Sequence, residues 1–294
     1  MASLISRIGS AVGLTSSTPN VDNDQLPPVD CVVSDCMACP NPCDDHRPYP
    51  HMELDTESPL LGSMKPYGRH IMISTGKTDW TSHIEDDKGT LAAELSVIVN
   101  DQFKQDWRNF ITNTSMFTQY STIPNAHDVI ILPDNIMVTD VTADRAQAFY
   151  DEFLNQPLPA SPNEPLKVSD SMKVQKNPYA SMILICSHKK RDRRCGVVAP
   201  ILAAEFDNVL REKDISEDDV AIFMVSHVGG HKFAGNIICY IHEGRTGIWY
   251  GRVNTCHCKP IIEETMCGGK VIKDLYRGAM SHSFVQSKSD RVKW

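Results

Sequence analysis

The chain has 294 residues, 41% of them hydrophobic, which is enough for two domains with cores of their own. A formal net charge of −8 excludes a generic nucleic-acid-binding surface, which would bias the protein basic. Ten cysteines without an apolar signal segment, and no apolar run near the roughly 18 residues of a membrane span, exclude a secreted disulfide scaffold and point to intracellular thiols or metal ligands.

Residues 1–29, rich in Ser, Asn, Asp and Pro, are predicted to form a disordered tail. Met1 to Asn20 carries one Arg and no acid, as a mitochondrial presequence does, but Gly9 and Gly13 interrupt any helix there. Cys31, Cys36, Cys39 and Cys43 follow, among Pro40 and Pro42. They read either as metal or disulfide partners or as plain thiols, and Cys36-Met-Ala-Cys39 lacks the strand-to-helix setting of a thioredoxin motif.

An N-terminal α/β domain is predicted over residues 30–155. Its strands are Gly68 to Thr75 and His127 to Leu132, the latter stopped at Pro133; its helices are Gly89 to Val99 and a stretch through Arg145, Phe149 and Phe153, capped by the Thr142 hydroxyl. His70 reads as a structural histidine. Ser74-Thr-Gly-Lys-Thr78 mimics the end of a phosphate-binding loop, but the earlier glycine that motif needs is Ile71.

Residues 156–178, with Pro157, Pro159, Pro162, Pro165 and Pro178, have linker composition. A second α/β domain is predicted over 179–278, with strands Ala180 to Ile185, Val220 to Val225, Asn236 to Ile241 and Gly247 to Val253. A helix runs from about Val197 to Arg211 with Pro200 in its first turn, and another from about Pro260 to Met266 is ended by Gly268-Gly269. Residues 279–294 form a C-terminal tail.

Two pairs carry the chemistry: Cys186-x8-Cys195, and His227-Val-Gly-Gly-His231 beginning 32 residues after Cys195. Both follow predicted strands, on loops a rigid sheet can position. Two thiolates and two imidazoles suit Zn²⁺ or an iron–sulfur cluster. Zinc modules usually space their cysteines two to four residues apart, and the longer gap here suits a loop around something larger, such as a [2Fe–2S] rhomb. Gly229 and Gly230 let the backbone turn sharply and bring both rings to one side. Between the cysteines, Lys189, Lys190, Arg191, Arg193 and Arg194 form either a solvated loop or a landing site for an acidic partner. Cys256-His-Cys258 and Cys267 read as secondary thiols, and Cys239 as a core residue.

Cys186-x8-Cys195 before a helix, then Ser226-His-Val-Gly-Gly-His-Lys-Phe-Ala-Gly-Asn236 and Trp249-Tyr-Gly251, resembles the thioredoxin-like ferredoxin domain of the sucrase/ferredoxin-like family. The likeness runs from about residue 30 to 278 and includes Lys65 to Trp80. It implies a [2Fe–2S] cluster held outside the Rieske fold by Cys186, Cys195, His227 and His231, and a degenerate thioredoxin-like first domain. The implied role is electron transfer tied to redox tolerance and, in fungal members, to actin-patch distribution. A redox partner such as a flavin reductase is implied. Terminal Trp294 resembles the aromatic tail read by the cytosolic iron–sulfur targeting machinery, which favours a cytoplasmic over a mitochondrial address, although Lys293 replaces the usual acid. A zinc-stabilised interaction protein and a thiol oxidoreductase using the spare cysteines are the rival readings.

Overall fold

A computed structural model of the chain describes residues 31–32, 49–50, 52–101, 107–159, 169 and 171–280. The predicted tail 1–29, Cys36, Cys39, Cys43 and Trp294 lie outside the described residues.

The first half runs β2 (Arg69–Ser74), α1 (Leu91–Asp101), β3 (Asn109–Thr114), β4 (His127–Leu132), β5 (Ile136–Val141) and α2 (Ala146–Phe149), the last continued by a π turn over Tyr150–Leu154. The second half repeats this order as β7 (Ser181–Cys186), α3 (Arg193–Glu212), β8 (Val220–Val225), β9 (Ile237–Ile241), β10 (Thr246–Tyr250) and α4 (Thr255–Pro260), continued by a π turn over Ile261–Cys267. In each half the first two strands are parallel and the next two antiparallel. Edge strands β6 (Lys173–Lys176) and β12 (Tyr276–Ala279) complete one ten-stranded sheet, ordered β12-β10-β9-β7-β8-β3-β2-β4-β5-β6 and mostly antiparallel. A separate short pair joins β1 (Cys31–Val32) to β11 (Val271–Ile272). The architecture is mixed α/β, and β6 falls within the stretch whose composition reads as linker. Among the described residues no helix is long and apolar enough to cross a membrane.

The halves meet at a corner. β3 and β8 are antiparallel and share one pair, Thr114 opposite Val225, at their carboxyl ends. A serine on each side seals it: the Ser115 amide donates to Met224 O and its hydroxyl accepts the Met224 amide, while Ser226 does the same with Asn113. From there the sheet folds back on itself. β2 and β9 stand four strands apart in the order, about 19 Å in a flat sheet, yet His70 Nδ1 on β2 lies 2.8 Å from the Tyr240 hydroxyl on β9. The result is four layers: α1 and α2, the first half-sheet, the second half-sheet, then α3 and α4. Met72, Phe110, Ile130, Leu184, Tyr240 and Trp249 fill the space between the half-sheets. Ile71, Ile73, Leu95 and Phe149 pack under the first helices, and Ile183, Ile185, Leu202 and Phe206 under the second.

Polar groups inside this sandwich are paired, as burial demands. Trp249 Nε1 donates to the Tyr67 hydroxyl at 2.9 Å, Tyr67 and Tyr240 share a 2.7 Å bond, and His70 Nε2 meets the Thr112 hydroxyl at 2.8 Å. Arg69 is fully buried and grips Asp134 through Nε at 2.7 Å and Nη2 at 3.1 Å.

Two local expectations change. Helix α3 starts at Arg193, before the predicted Val197, because the Asp192 carboxylate accepts the Arg194 amide and caps it. Pro200 therefore sits inside the helix on its exposed side, where it forfeits the bond to the Gly196 carbonyl. Thr142 precedes a 3₁₀ turn without capping it; its hydroxyl serves the Asp144 carboxylate instead.

Tyr240→Phe removes a hydroxyl shared by His70 and Tyr67, and is expected to cost about 1–3 kcal/mol in urea unfolding; unchanged stability would contradict the packing of the half-sheets through this network. Burial holds His70 well below the usual histidine range and lowers His257 to about 4. Between pH about 6.5 and that value, the unfolded chain binds protons that the folded chain refuses. Stability is thus expected to be full above that range and to fall as the pH drops through it, by up to about 1.4 kcal/mol per pH unit for each group. A urea midpoint independent of pH between 7 and 5 would contradict this.

Candidate metal centre

Cys186 is the last residue of β7, and Cys195 lies in the first turn of α3; both are buried. The loop between them is stitched to the first half. Ser187 Oγ donates to Thr78 O at 2.6 Å, the Lys190 amide to Asp79 Oδ1 at 3.0 Å, and Ser82 Oγ to Lys190 O at 3.0 Å. Thr75 to Ser82, whose beginning mimics a phosphate loop, is thus a clasp over the cysteine loop. Of the five cations there, Lys189, Lys190 and Arg193 are exposed, whereas Arg194 pairs with Asp192 at 2.8 Å and Arg191 donates to Ser82 O.

His227 follows the corner residue Ser226 directly, so the junction of the halves sets its position. Its amide donates to Nδ1 of His188 at 3.0 Å, and His188 Nε2 faces the carbonyls of Trp80 and Thr81 at 3.1 and 2.8 Å. Nδ1 accepts and Nε2 donates, which fixes the tautomer of this buried ring. His231 opens a 3₁₀ turn after Gly229 (φ 89°) and Gly230 (φ 69°), and its ring centroid lies 5.4 Å from that of His227.

Cys186 is in contact with Cys195 and His227, and His231 neighbours His227. The Cys195 thiol bonds to Cys186, and His227 and the Val228 amide add to it, holding the Cys186 thiol well below its usual range. Sharing that anion, together with burial, pushes Cys195 up. Burial also lowers His231. The sulfurs form the inner side of the site, while His227 is half-buried and His231 exposed at the rim. Cys186 and Cys195 neighbour each other, as do His227 and His231, but among the described residues no group of three or more His, Cys, Asp or Glu side chains is placed to hold a metal ion. Chemically the set, two sulfurs and two ring nitrogens, fits Zn²⁺ or an iron–sulfur cluster. The corresponding places in the first half, at the end of β2 and just past β3, hold Ser74 and Met116 and offer no such set.

Arg277 on β12 has no counterpart in the sequence motifs. It is fully buried beneath the histidine loop and donates to Gly229 O at 3.2 Å, Asn236 Oδ1 at 2.7 Å, and Ser63 Oγ and O, both at 2.9 Å. Asn236 in turn donates to Gly230 O at 2.9 Å. A Cβ on Gly230 would stand 2.3 Å from Arg277 Nη2, so what approaches this glycine is a guanidinium. The one sequence signal for Arg277 was a lone charge within the apolar stretch around Tyr276 and Met280.

Among the described residues, Cys239 and Cys258 lie in the core cluster under the second helices. Burial pushes the Cys239 and Cys258 thiols up, the reverse of what a reactive thiolate requires, and Cys258 Sγ donates to Asn254 O at 3.7 Å.

Gly229→Ala meets open space and is expected to cost only the strain of its positive φ, about 1–2 kcal/mol. Gly230→Ala must also displace a guanidinium held by four acceptors, and is expected to cost more and to weaken retention of bound metal. Denaturant unfolding and metal analysis of the two variants check this, and equal behaviour would contradict it.

A model of the sucrase/ferredoxin-like family matches residues 60–278. Altered inheritance of mitochondria protein 32 from Clavispora lusitaniae is 30% identical over 245 residues, covering 78% of this chain and 87% of that protein. Actin patches distal protein 1 from Saccharomyces cerevisiae is 29% identical over 232 residues, covering 72% and 73%. No solved structure matches. The matched segment begins at Leu60, just before Ser63, and ends at Gly278, so it encloses both cysteines, both histidines, the clasp and Arg277. The chain belongs to the sucrase/ferredoxin-like family.

Proposed function

We propose that this protein is a one-electron carrier whose [2Fe–2S] centre is bound by Cys186, Cys195, His227 and His231. The observation that supports this reading is the cysteine pair at the carboxyl end of β7 lying beside His227, which follows β8 and has His231 as its neighbour. The family's ferredoxin-like description agrees with it. On the same reading the second half is a thioredoxin-like ferredoxin domain, and the first half a degenerate copy lacking ligands. A bound [2Fe–2S] centre supplies reversible one-electron transfer.

The chain's own residues shape that chemistry. Two imidazoles in place of two thiolates remove two negative charges, which eases reduction; by analogy with Rieske sites the potential lies a few hundred millivolts above the roughly −400 mV of plant-type clusters. Buried sulfurs keep the centre from water, and exposed His231 gives electrons an edge through which to pass. The outer nitrogens of both rings can exchange protons, which couples electron to proton uptake. Lys189, Lys190 and Arg193 are set to steer an acidic redox protein, such as a flavin reductase, to that edge. The site of action on this reading is the cytoplasm; the mitochondrion is the alternative suggested by the relative's name. A part in actin-patch distribution follows the name of the other relative.

Anaerobically purified protein is expected to be coloured, with iron and acid-labile sulfide in equal amounts and an electron paramagnetic resonance signal on reduction. Cys186→Ser and His227→Ala are each expected to lose or alter that signal. A colourless protein with stoichiometric zinc and no sulfide would overturn the proposal in favour of a zinc-stabilised interaction protein.

A further inference from the structure

Two arginines of the described chain are fully buried, and they are treated differently. Arg69 meets a carboxylate, Asp134, in a two-pronged ion pair. Arg277 does not. Its four polar partners, Ser63 Oγ, Ser63 O, Gly229 O and Asn236 Oδ1, are all neutral oxygens, and among the described residues no Asp or Glu forms an ion pair with it. Its remaining neighbours include the faces of Phe233 and Trp249, with ring centroids 5.5 and 5.7 Å from its Cζ. A buried charge without a counter-charge is costly, and proteins that keep one place an anion beside it.

Geometry ties Arg277 to both pairs: it donates to Gly229 O between the two histidines, and its acceptor Asn236 takes the Cys186 amide on its backbone carbonyl at 3.0 Å. Burial lowers Arg277 to about 10, and the two thiols pull it back up. The placement is built in. Gly230 has no Cβ where the guanidinium lies, the chain passes over it between the two histidines, and Gly251, whose added Cβ would stand 2.8 Å from Arg277 Cδ, leaves room from the far side.

We infer that Arg277 is the counter-charge of the proposed centre, a potential-setting residue that offsets the negative charge gained on reduction and so favours the state holding one more electron. This rests on the [2Fe–2S] reading. With two thiolates and two neutral imidazoles the oxidised site is about neutral, and accepting one electron from the reduced partner adds one negative charge to it. The guanidinium is already in place to offset that charge. A zinc site with the same ligands stays neutral throughout and gives a buried cation nothing to balance.

The test is the midpoint potential of the full-length, cluster-loaded protein, followed by its visible spectrum in a redox titration. Arg277→Gln keeps hydrogen-bond donors and loses the charge; Arg277→Lys keeps the charge and loses the fork. Ser63→Asp leaves the guanidinium and all four ligands in place but sets a carboxylate against Nε. The Gln and Asp variants are expected to shift the midpoint to more negative values, and the Lys variant to stay near wild type. Should the Gln variant fail to load, Ser63→Asp against wild type decides. Coloured Gln or Asp variants with the wild-type midpoint, or Gln and Lys variants shifted alike, would assign Arg277 a purely structural role and overturn the inference alone. Wild-type protein that is colourless and carries zinc would overturn the redox reading and this inference with it.

Discussion

The structure depends on a corner one residue pair wide. Thr114 and Val225 are the only partners in the β3–β8 register, and Ser115 and Ser226 close the junction by the same exchange of amide and hydroxyl bonds. Because the strands join at their carboxyl ends, the half-sheets fold face to face and the loops that follow those ends are gathered at one place. His227 comes immediately after the corner, and Cys186 ends the strand beside it. Among the described residues the helices flank two half-sheets that share an apolar middle, and the loops that carry Cys186 and His227 are delivered to one rim.

The division of labour between the halves follows from the same geometry. The second half carries the four donors; the first has Ser74 and Met116 in the corresponding places. It contributes the clasp from Thr75 to Ser82, which holds the cysteine loop through Thr78, Asp79 and Ser82, and the Trp80 and Thr81 carbonyls, which fix His188 and through it the His227 backbone. A binding loop held from both sides has little freedom to lose when it takes up its group, which is the physical content of a preorganised site. The half without such residues in the corresponding places thus helps to hold the loops of the other.

How much of this could be read from residues varies with the physics of each element. Val220 to Val225 is a run of apolar residues between polar flanks, and its limits match the expectation. β3 reads Asn-Phe-Ile-Thr-Asn-Thr; four of its six residues are polar, and its buried polar groups make sense only once Ser226 and His70 are known to bond to them. β12 was hidden because Arg277 breaks its apolar pattern, and the partners that make the charge tolerable are distant in sequence. The cysteine pair and the histidine pair stood out because their spacing is local to each loop. The clasp, the corner and Arg277 are tertiary facts, carried by contacts that span up to 214 residues. The paired glycines fall between these cases: the turn they make is legible, but the guanidinium beneath Gly230 is not.

The central claim is that two imidazoles and two thiolates share one redox centre. Histidine-selective ¹⁵N labelling of the reduced protein, read by pulsed electron paramagnetic resonance, tests it most directly, because only nitrogen bound to iron couples strongly to the unpaired spin. The account predicts strong couplings from two histidine nitrogens, one of which disappears in His227→Cys and the other in His231→Cys. A reduced signal without histidine coupling, or one unchanged in both variants, would contradict it.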